Sequence, residues 1–174
     1  MNPAHIHLLV NHLPIVGSFF AVPVVALALW RRENLGALRA AALVLVLAAI
    51  GAGVANATGD GAEEAIEDSG WASERMIHEH EERADVATPI AVVTGIAAVA
   101  ALIWSERKKV VNPAVVGALG VLSLLSAGSM AWVGAAGGVI RHDEIRDGAA
   151  SKQVNPAAGA ERGEQGGDED GDDD

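Results

Sequence analysis

Histidines are the residues whose type and placement in this sequence point to chemistry. Three of the six open the first long apolar stretch, in "HIHLLVNHLPIVG" (residues 5–17), and the others are His78, His80 and His142. Imidazole is a common ligand of transition metals and of haem iron. The chain has no cysteine. Thiolate metal sites, iron–sulfur clusters, disulfides and covalent c-type haem attachment are therefore excluded.

Four apolar stretches must position these histidines. Hydrophobic residues make up 51% of the 174 residues, and nearly all of them are Ala, Val, Leu or Ile. Each stretch is close to the roughly 20 residues that a helix needs to cross a bilayer. The predicted fold is all-α, a four-helix transmembrane bundle in residues 1–148, with spans at about 8–30, 35–57, 86–104 and 113–136. Asn2-Pro3 and Asn112-Pro113 read as helix N-caps followed by Pro at the first helical position.

Basic residues predict the orientation of the bundle. They cluster in the two short loops that follow spans one and three, where we find Arg31, Arg32, Arg39, Arg107, Lys108 and Lys109. By the positive-inside rule these loops are cytoplasmic, so both termini are periplasmic in a bacterial inner (plasma) membrane. Since no basic residue precedes span one, we interpret it as a permanent span rather than a secretory signal.

Acidic residues lie on the opposite side of the membrane. Residues 58–85 contain ten of them, and the net charge of the chain is −11. The C-terminal tail, residues 149–174, is rich in Gly, Ala and acid and is predicted to be disordered. The negative charge disfavours nucleic-acid binding. It suits a cationic periplasmic electron carrier, and it equally suits a general adaptation to salt.

With this topology all six histidines fall near the outer face of the membrane. Independent assignment to two sides would give this result only about once in 32, if the topology is taken as given. Any one of these residues is tolerated at an interface or in a short tail. The set as a whole favours a binding site.

Helix geometry separates the histidines of span one. His5 and His12 are seven residues apart and share a face, whereas His7 points elsewhere. His12 is the deepest of the three, about 10 Å below His5. Pro14 cannot donate a backbone hydrogen bond, so the helix is expected to bend there, beside Asn11 and His12.

Small residues form stripes that end in histidine on spans three and four. On span three, where Ser73 is expected to cap a helix that starts at Glu74, the stripe is His80, Ala84, Ala87 and Ala91. On span four it is Ala127, Ala131, Gly134, Gly138 and His142. Such faces usually allow close helix packing, and they also leave room for a flat macrocycle. A separate polar stripe, His78, Glu82 and Asp85, is either solvated or able to hold a hard metal ion.

Four segments carry a resemblance to a known family. They are "HLLVNHLPI" (7–15), "TGDGAEE" (58–64), "MIHEHEERA" (76–84) and "GGVIRHDEI" (137–145). Together they resemble a domain of unknown function in four-span bacterial inner-membrane proteins, over about residues 5–146. The family pattern of His, four residues, His, one residue, Pro falls on His7, His12 and Pro14, and its histidine before span three on His80 or His78. The resemblance implies the four-helix fold. Members of the family sometimes occur near cytochrome components, so the resemblance supports haem chemistry by analogy alone.

The first functional hypothesis is a b-type haem protein that transfers electrons on the periplasmic side. His12 and His80 are the preferred axial pair, with His142 or His7 as the alternative. Asn11 or a carboxylate would orient a ligand through its second ring nitrogen. Such a protein is a redox carrier or binding subunit rather than a stand-alone catalyst.

The alternatives are a non-haem metal protein and a subunit without a cofactor. Histidine with carboxylate suits Zn or Fe, and a methionine would favour Cu. The residues considered for such an ion are His5, His78, Glu82 and Asp85, with Glu79, Glu144, Asp60, Met76 and Met130 as further donors. In the last alternative the small-residue faces pack against a larger membrane complex, and the protein has a structural or assembly role.

Overall fold

A computed structural model describes residues 2–31, 34–67 and 72–146 of the chain. Helices dominate these residues, and no strand occurs within them. The helices are α1 (Pro3–Val10), α2 (His12–Trp30), α3 (Leu35–Ala57), α4 (Gly59–Glu67), α5 (Glu74–Lys108) and α6 (Pro113–Arg141), followed by a 3₁₀ turn at Asp143–Ile145. The predicted all-α class is confirmed. The tail predicted to be disordered, residues 149–174, lies outside the described residues.

Two compact units divide the chain. The first, Met1–Arg141, contains all six helices, and the second begins at His142. Of the second unit the structure describes residues 142–146.

Four helical segments are long and apolar enough to cross a membrane, as predicted. They are Pro3–Trp30, which comprises α1 and α2, and Leu35–Ala57, Glu74–Lys108 and Pro113–Arg141. At 1.5 Å per residue the 35 residues of α5 are about 52 Å long, which exceeds the roughly 30 Å of bilayer hydrocarbon. The helix α5 is therefore long enough for its charged first turns, up to Asp85, to lie outside the hydrocarbon while the rest spans it.

Asparagine caps begin three of these helices. The side chain of Asn2 accepts a hydrogen bond from the backbone N–H of His5, and Pro3 follows as the first helical residue. Asn34 accepts from two backbone N–H groups at the start of α3. At the start of α6 the side chain of Asn112 accepts a hydrogen bond from the backbone N–H of Ala114, at 2.9 Å. Both predicted Asn-Pro caps are confirmed. Ser73 occupies the N-cap position of α5 without a side-chain capping bond.

Small residues let the four long helices pack closely in a ring, with α2 against α3 and α6, and α5 against α3 and α6. A Cβ added at Gly95 of α5 would lie 2.6 Å from the Cβ of Ala49 on α3, and one at Gly17 of α2 would lie 2.9 Å from that of Ala48. Such contacts require glycine. The predicted four-helix bundle is confirmed.

Hydroxyl groups in the interior of the bundle form interhelical hydrogen bonds. Ser18 of α2 and Ser126 of α6, both fully buried, are joined Oγ to Oγ at 3.0 Å. Thr94 of α5 donates to its own helix at Ile90 O, 2.7 Å away. Because the surrounding side chains and lipid are apolar, such partners offset the cost of burying a hydroxyl. The buried hydroxyl of Ser105 has no such partner among the described residues.

The two ends of the bundle differ in character. At one end Arg39 of α3 pairs with Glu106 of α5, with an N–O distance of 2.5 Å, and Lys109 adds to this pair. At the other end α1 lies against α4, near the end of α3. We call the second the α4 end of the bundle. It includes the first turns of α5, and α1 contains two of the histidines, His5 and His7.

Candidate functional site

His7 is the inward-facing histidine of α1. It is half-buried, and its Nδ1 lies 2.9 Å from the backbone carbonyl oxygen of Ala55, near the end of α3. Because a carbonyl oxygen can only accept a hydrogen bond, Nδ1 carries the hydrogen and is the donor. Thr58 Oγ1, at 3.5 Å from the same nitrogen, adds a weaker contact. These bonds fix the orientation of the ring at the α4 end.

His80 is held in the same way by a different helix. Its Nδ1 lies 3.2 Å from the carbonyl oxygen of Val133 on α6, so this nitrogen is also the donor. The ring fits because Gly137, one turn further along α6, has no side chain: a Cβ there would lie 3.2 Å from His80 Cε1. The predicted stripe on α5 is confirmed, since Ala87 and Ala91, below His80, are buried in the bundle.

Both rings therefore keep the Nε2 lone pair available. In a neutral imidazole one nitrogen donates and the other accepts, and a backbone carbonyl has used the donor in each case. A metal-ligating histidine typically shows this arrangement, in which the second nitrogen donates to a carbonyl or carboxylate. His7 and His80 can thus each offer one neutral nitrogen ligand.

His80 has two ionisable neighbours. They are His7 of α1 and Arg83 of its own helix. Arg83 donates from Nη1 to Trp132 O at 3.0 Å, stacks 5.2 Å from the centre of the Trp132 ring and pairs with Glu79. The guanidinium thereby holds a fixed positive charge beside His80.

Asn11 adds an unpaired acceptor on the side of His7. Its backbone N–H donates to His7 O at 2.8 Å, so the two residues follow one another on one helical turn. Its Oδ1 atom is buried, and no donor in the described part of the chain bonds to it. A buried acceptor without a donor costs free energy, on the order of 1–3 kcal/mol.

The remaining histidines of span one lie on the outside. His5 and His12 are both exposed. Near the bend expected at Pro14, α1 ends at Val10 and α2 begins at His12, while the backbone angles of Asn11 between them remain helical (φ −60°, ψ −25°). The preferred ligand of the sequence analysis, His12, thus lies on the surface of the helix, and the half-buried histidine is His7.

The other predicted donors make local ion pairs. On α5, exposed His78 lies 3.4 Å from Glu82 through Nε2, and Asp85 is also exposed. This stripe has the geometry of a solvated helix face. In the second unit His142 Nδ1 lies 2.7 Å from Glu144, and both side chains are exposed. Within residues 2–31, 34–67 and 72–146 no group of three or more His, Asp or Glu is placed to hold a metal ion.

The predicted stripe on α6 is only partly correct. Ala127 is buried, but Ala131 is exposed, and the buried face continues instead through Met130, Val133, Ala136 and Ile140. Gly134 does not leave an open slot, since a Cβ there would lie 3.1 Å from Ile15 Cδ1. These faces serve helix packing, so room for a macrocycle exists neither beside Gly134 nor in the tightly packed centre of the bundle.

Acidic side chains of α4 lie near α5 beside the histidines. Glu81 of α5 has Glu63 and Asp60 of α4 and His78 of its own helix as ionisable neighbours. Carboxylates that lie close together repel one another when both are ionised.

The sequence favoured His12 over His7, whereas the structure leaves His12 exposed and turns His7 inward. A usable signal was the four-residue spacing between His7 and Asn11, which places the two polar side chains one helical turn apart. The partners Ala55 O and Val133 O left no such signal, because every residue has a carbonyl. Comparison of the chain with protein-family models, with curated proteins and with solved structures finds no match.

Proposed function

We propose that this protein is an integral membrane protein that binds b-type haem at the α4 end of its bundle and transfers electrons on that side of the membrane. His7 and His80 would hold its iron. The observation that carries this proposal is the hydrogen bonding of the two rings. Each donates Nδ1–H to a backbone carbonyl, at 2.9 Å and 3.2 Å, which leaves Nε2 as the acceptor, and no hydrogen bond to Nε2 occurs within the described residues.

The number of available donors favours haem over a bare ion. A metal ion held by protein alone needs three or four ligands, and the described residues offer no such group. A porphyrin brings four of the six iron ligands itself, so two imidazoles are sufficient. When bound, the haem would supply one-electron chemistry, while the chain holds the two imidazoles neutral and keeps Arg83 as a positive charge beside them.

The location of the group follows from the packing. Gly17, Gly95 and Gly134 are in close contact with neighbouring helices, so the centre of the bundle is full. His7 and His80 are both only half-buried. The haem would therefore sit at the end of the bundle among α1, α4 and α5, rather than between the helices at mid-membrane depth.

The orientation in the membrane belongs to the same proposal. The basic loops would face the cytoplasm of a bacterium, and the α4 end and both termini would face the periplasm. The acidic residues of α4 and α5 would then surround the haem and attract a cationic electron carrier. Deletion of the tail from residue 149 should weaken that association, reduce its dependence on salt, and leave the fold intact.

A single non-haem ion is the second candidate. The close packing beside Gly134 favours it, because an ion needs far less space than a macrocycle. His7 and His80 would provide two ligands, with solvent completing the coordination, and Met76, one turn before His80, would favour copper. Metal analysis of the purified protein without a haem spectrum would support this candidate.

An absorption spectrum with metal analysis tests the proposal. The protein purified in mild detergent should show a Soret band, and His7→Ala and His80→Ala should each remove most of it. His5→Ala and His12→Leu are the matched controls on the exposed face, and both should retain it. If His12→Leu loses the band and His7→Ala keeps it, the assignment of ligands is wrong. No band and no metal, with wild-type stability of both inward variants, would favour a structural or assembly subunit.

A further inference from the structure

Positive charge is concentrated at the end of the bundle where α2 and α5 terminate and α3 begins. The cationic side chains there are all exposed. Among the described residues of this end Glu106 is the one acidic side chain, although the chain as a whole has a net charge of −11. We call this the basic end of the bundle, and its cations are Arg31, Arg39, Arg107, Lys108 and Lys109.

Glu106 joins two of these cations between α3 and α5. Its Oε1 accepts a hydrogen bond from Arg39 Nε at 2.7 Å, and its Oε2 accepts one from Lys109 Nζ at 3.4 Å. Two cations around one carboxylate leave a net positive charge at this point. Arg107 and Lys108, which follow Glu106 on α5, make no ion pair within the described part of the chain. The basic end can therefore bind a further anion without losing an internal ion pair.

Apolar stripes lead away from this charge along the outer surfaces of α3 and α5. On α3 the exposed side chains lie four and eleven residues after Arg39, and on α5 they lie four and eleven residues before Arg107, so each stripe shares a face with its arginine. They are Leu43 and Ile50 on α3, which are 60% and 55% exposed, and Ile103 and Ile96 on α5, which are 47% and 64% exposed. Because α3 packs directly against α5, the two stripes lie on neighbouring helices and both begin at the basic end.

Two exposed tryptophans mark the depth of the basic end in the membrane. Trp30 is the last residue of α2, and the centre of its ring lies 5.4 Å from Arg31 Cζ. Trp104 lies about one turn before Arg107 on α5. Indole rings are enriched at the membrane–water interface, at the level of the lipid headgroups. The neighbouring cations therefore lie at the depth where lipid phosphates are found.

We propose that the basic end binds a phospholipid with an anionic headgroup. The headgroup lies against Arg39, Arg107 and Lys108, and the acyl chains lie along the two apolar stripes. The cations select negative charge, as clusters of Lys and Arg beside membrane helices typically do. The stripes favour a lipid over a soluble phosphate, because a soluble phosphate covers no apolar surface. This site is at the opposite end of the bundle from His7 and His80, so lipid binding there does not depend on haem.

Substitution of the unpaired cations tests the site. The full-length protein, freed of lipid in a mild non-ionic detergent, is titrated with dioleoyl phosphatidylglycerol, and native mass spectrometry measures the bound fraction. Arg107→Gln and Lys108→Gln should each weaken binding about fivefold, since each removes one cation from the headgroup. Arg75→Gln removes an exposed cation near the start of α5, at the α4 end, and is the matched control that should bind as the wild type does.

Other ligands separate a lipid site from a site for any anion. Zwitterionic dioleoyl phosphatidylcholine should bind far more weakly than phosphatidylglycerol. Dihexanoyl phosphatidylglycerol, which has the same headgroup on short chains, should also bind more weakly, because it covers less of the stripes. Inorganic phosphate at constant ionic strength should not displace the long-chain lipid.

Three results would overturn the proposal. The first is equal binding of phosphatidylglycerol and phosphatidylcholine. The second is unchanged binding in both glutamine variants, and if Arg107→Gln does not fold, Lys108→Gln decides this point by itself. The third is displacement of the lipid by inorganic phosphate or equal binding of the short-chain lipid, which would make the basic end a site for soluble anions.

Discussion

Val133 of α6 accepts a hydrogen bond from the Nδ1 of His80 on α5, at 3.2 Å. The bond joins two helices, selects the tautomer of the imidazole and leaves its Nε2 free. It depends on Gly137, because a side chain at that position would reach the ring. Helix packing and the chemistry of the site are therefore coupled at this one point.

Gly137→Ala should displace the His80 ring and weaken this bond. An alanine in a helix interior ordinarily adds about 0.5–1 kcal/mol of stability over glycine. Gly128→Ala, on the same helix with nothing within 4 Å of its Cβ, should show that gain, whereas Gly137→Ala should show little or none. Thermal unfolding in detergent measures the difference. Equal stabilisation by both substitutions would contradict the contact.

Gly95→Ala should destabilise the contact between α3 and α5. The added methyl carbon would lie 2.6 Å from the Cβ of Ala49, so the two helices must separate. Overpacking of this kind costs about 1–3 kcal/mol. Gly53→Ala on α3, where nothing lies within 4 Å, is the control and should be neutral or stabilising. Unfolding curves of the two variants that coincide would refute this prediction.

Ser18 and Ser126 should be energetically coupled. Their hydroxyls are hydrogen-bonded at 3.0 Å and fully buried between α2 and α6. A double-mutant cycle with Ser18→Ala and Ser126→Ala should give a favourable coupling of about 0.6 kcal/mol, the average for interhelical bonds of this type in membranes. Strictly additive effects of the two substitutions would show that the bond contributes nothing.

The orientation predicted from the basic loops can be tested with single cysteines. Lys108→Cys lies at the end of α5 and Glu64→Cys on α4, and both positions are exposed. In intact cells a membrane-impermeant thiol reagent should label Glu64→Cys and leave Lys108→Cys unlabelled until the cytoplasmic side is opened. Labelling of both cysteines in intact cells would rule out a periplasmic α4 end.

Local chemistry was sufficient for much of the fold. The four spans follow from the length of the apolar stretches, because a bilayer crossing needs about 20 such residues. The caps at Asn2 and Asn112 follow equally from single residues, since an asparagine oxygen acts within one helical turn. The buried stripe below His80 was also predicted correctly.

Only the tertiary structure decided which face of each helix is inside. In a water-soluble protein the polar residues mark the outer face, but lipid is as apolar as the interior of this bundle. Hence nothing in span four marked Met130 and Val133 as inside and Ala131 as outside. The same ambiguity made His12 look a better candidate than His7. The ring of His7 turns inward because Ala55 O, 48 residues away in the chain, accepts a hydrogen bond from its Nδ1–H. Backbone carbonyls carry no side-chain signature, so this pairing exists only in the folded bundle.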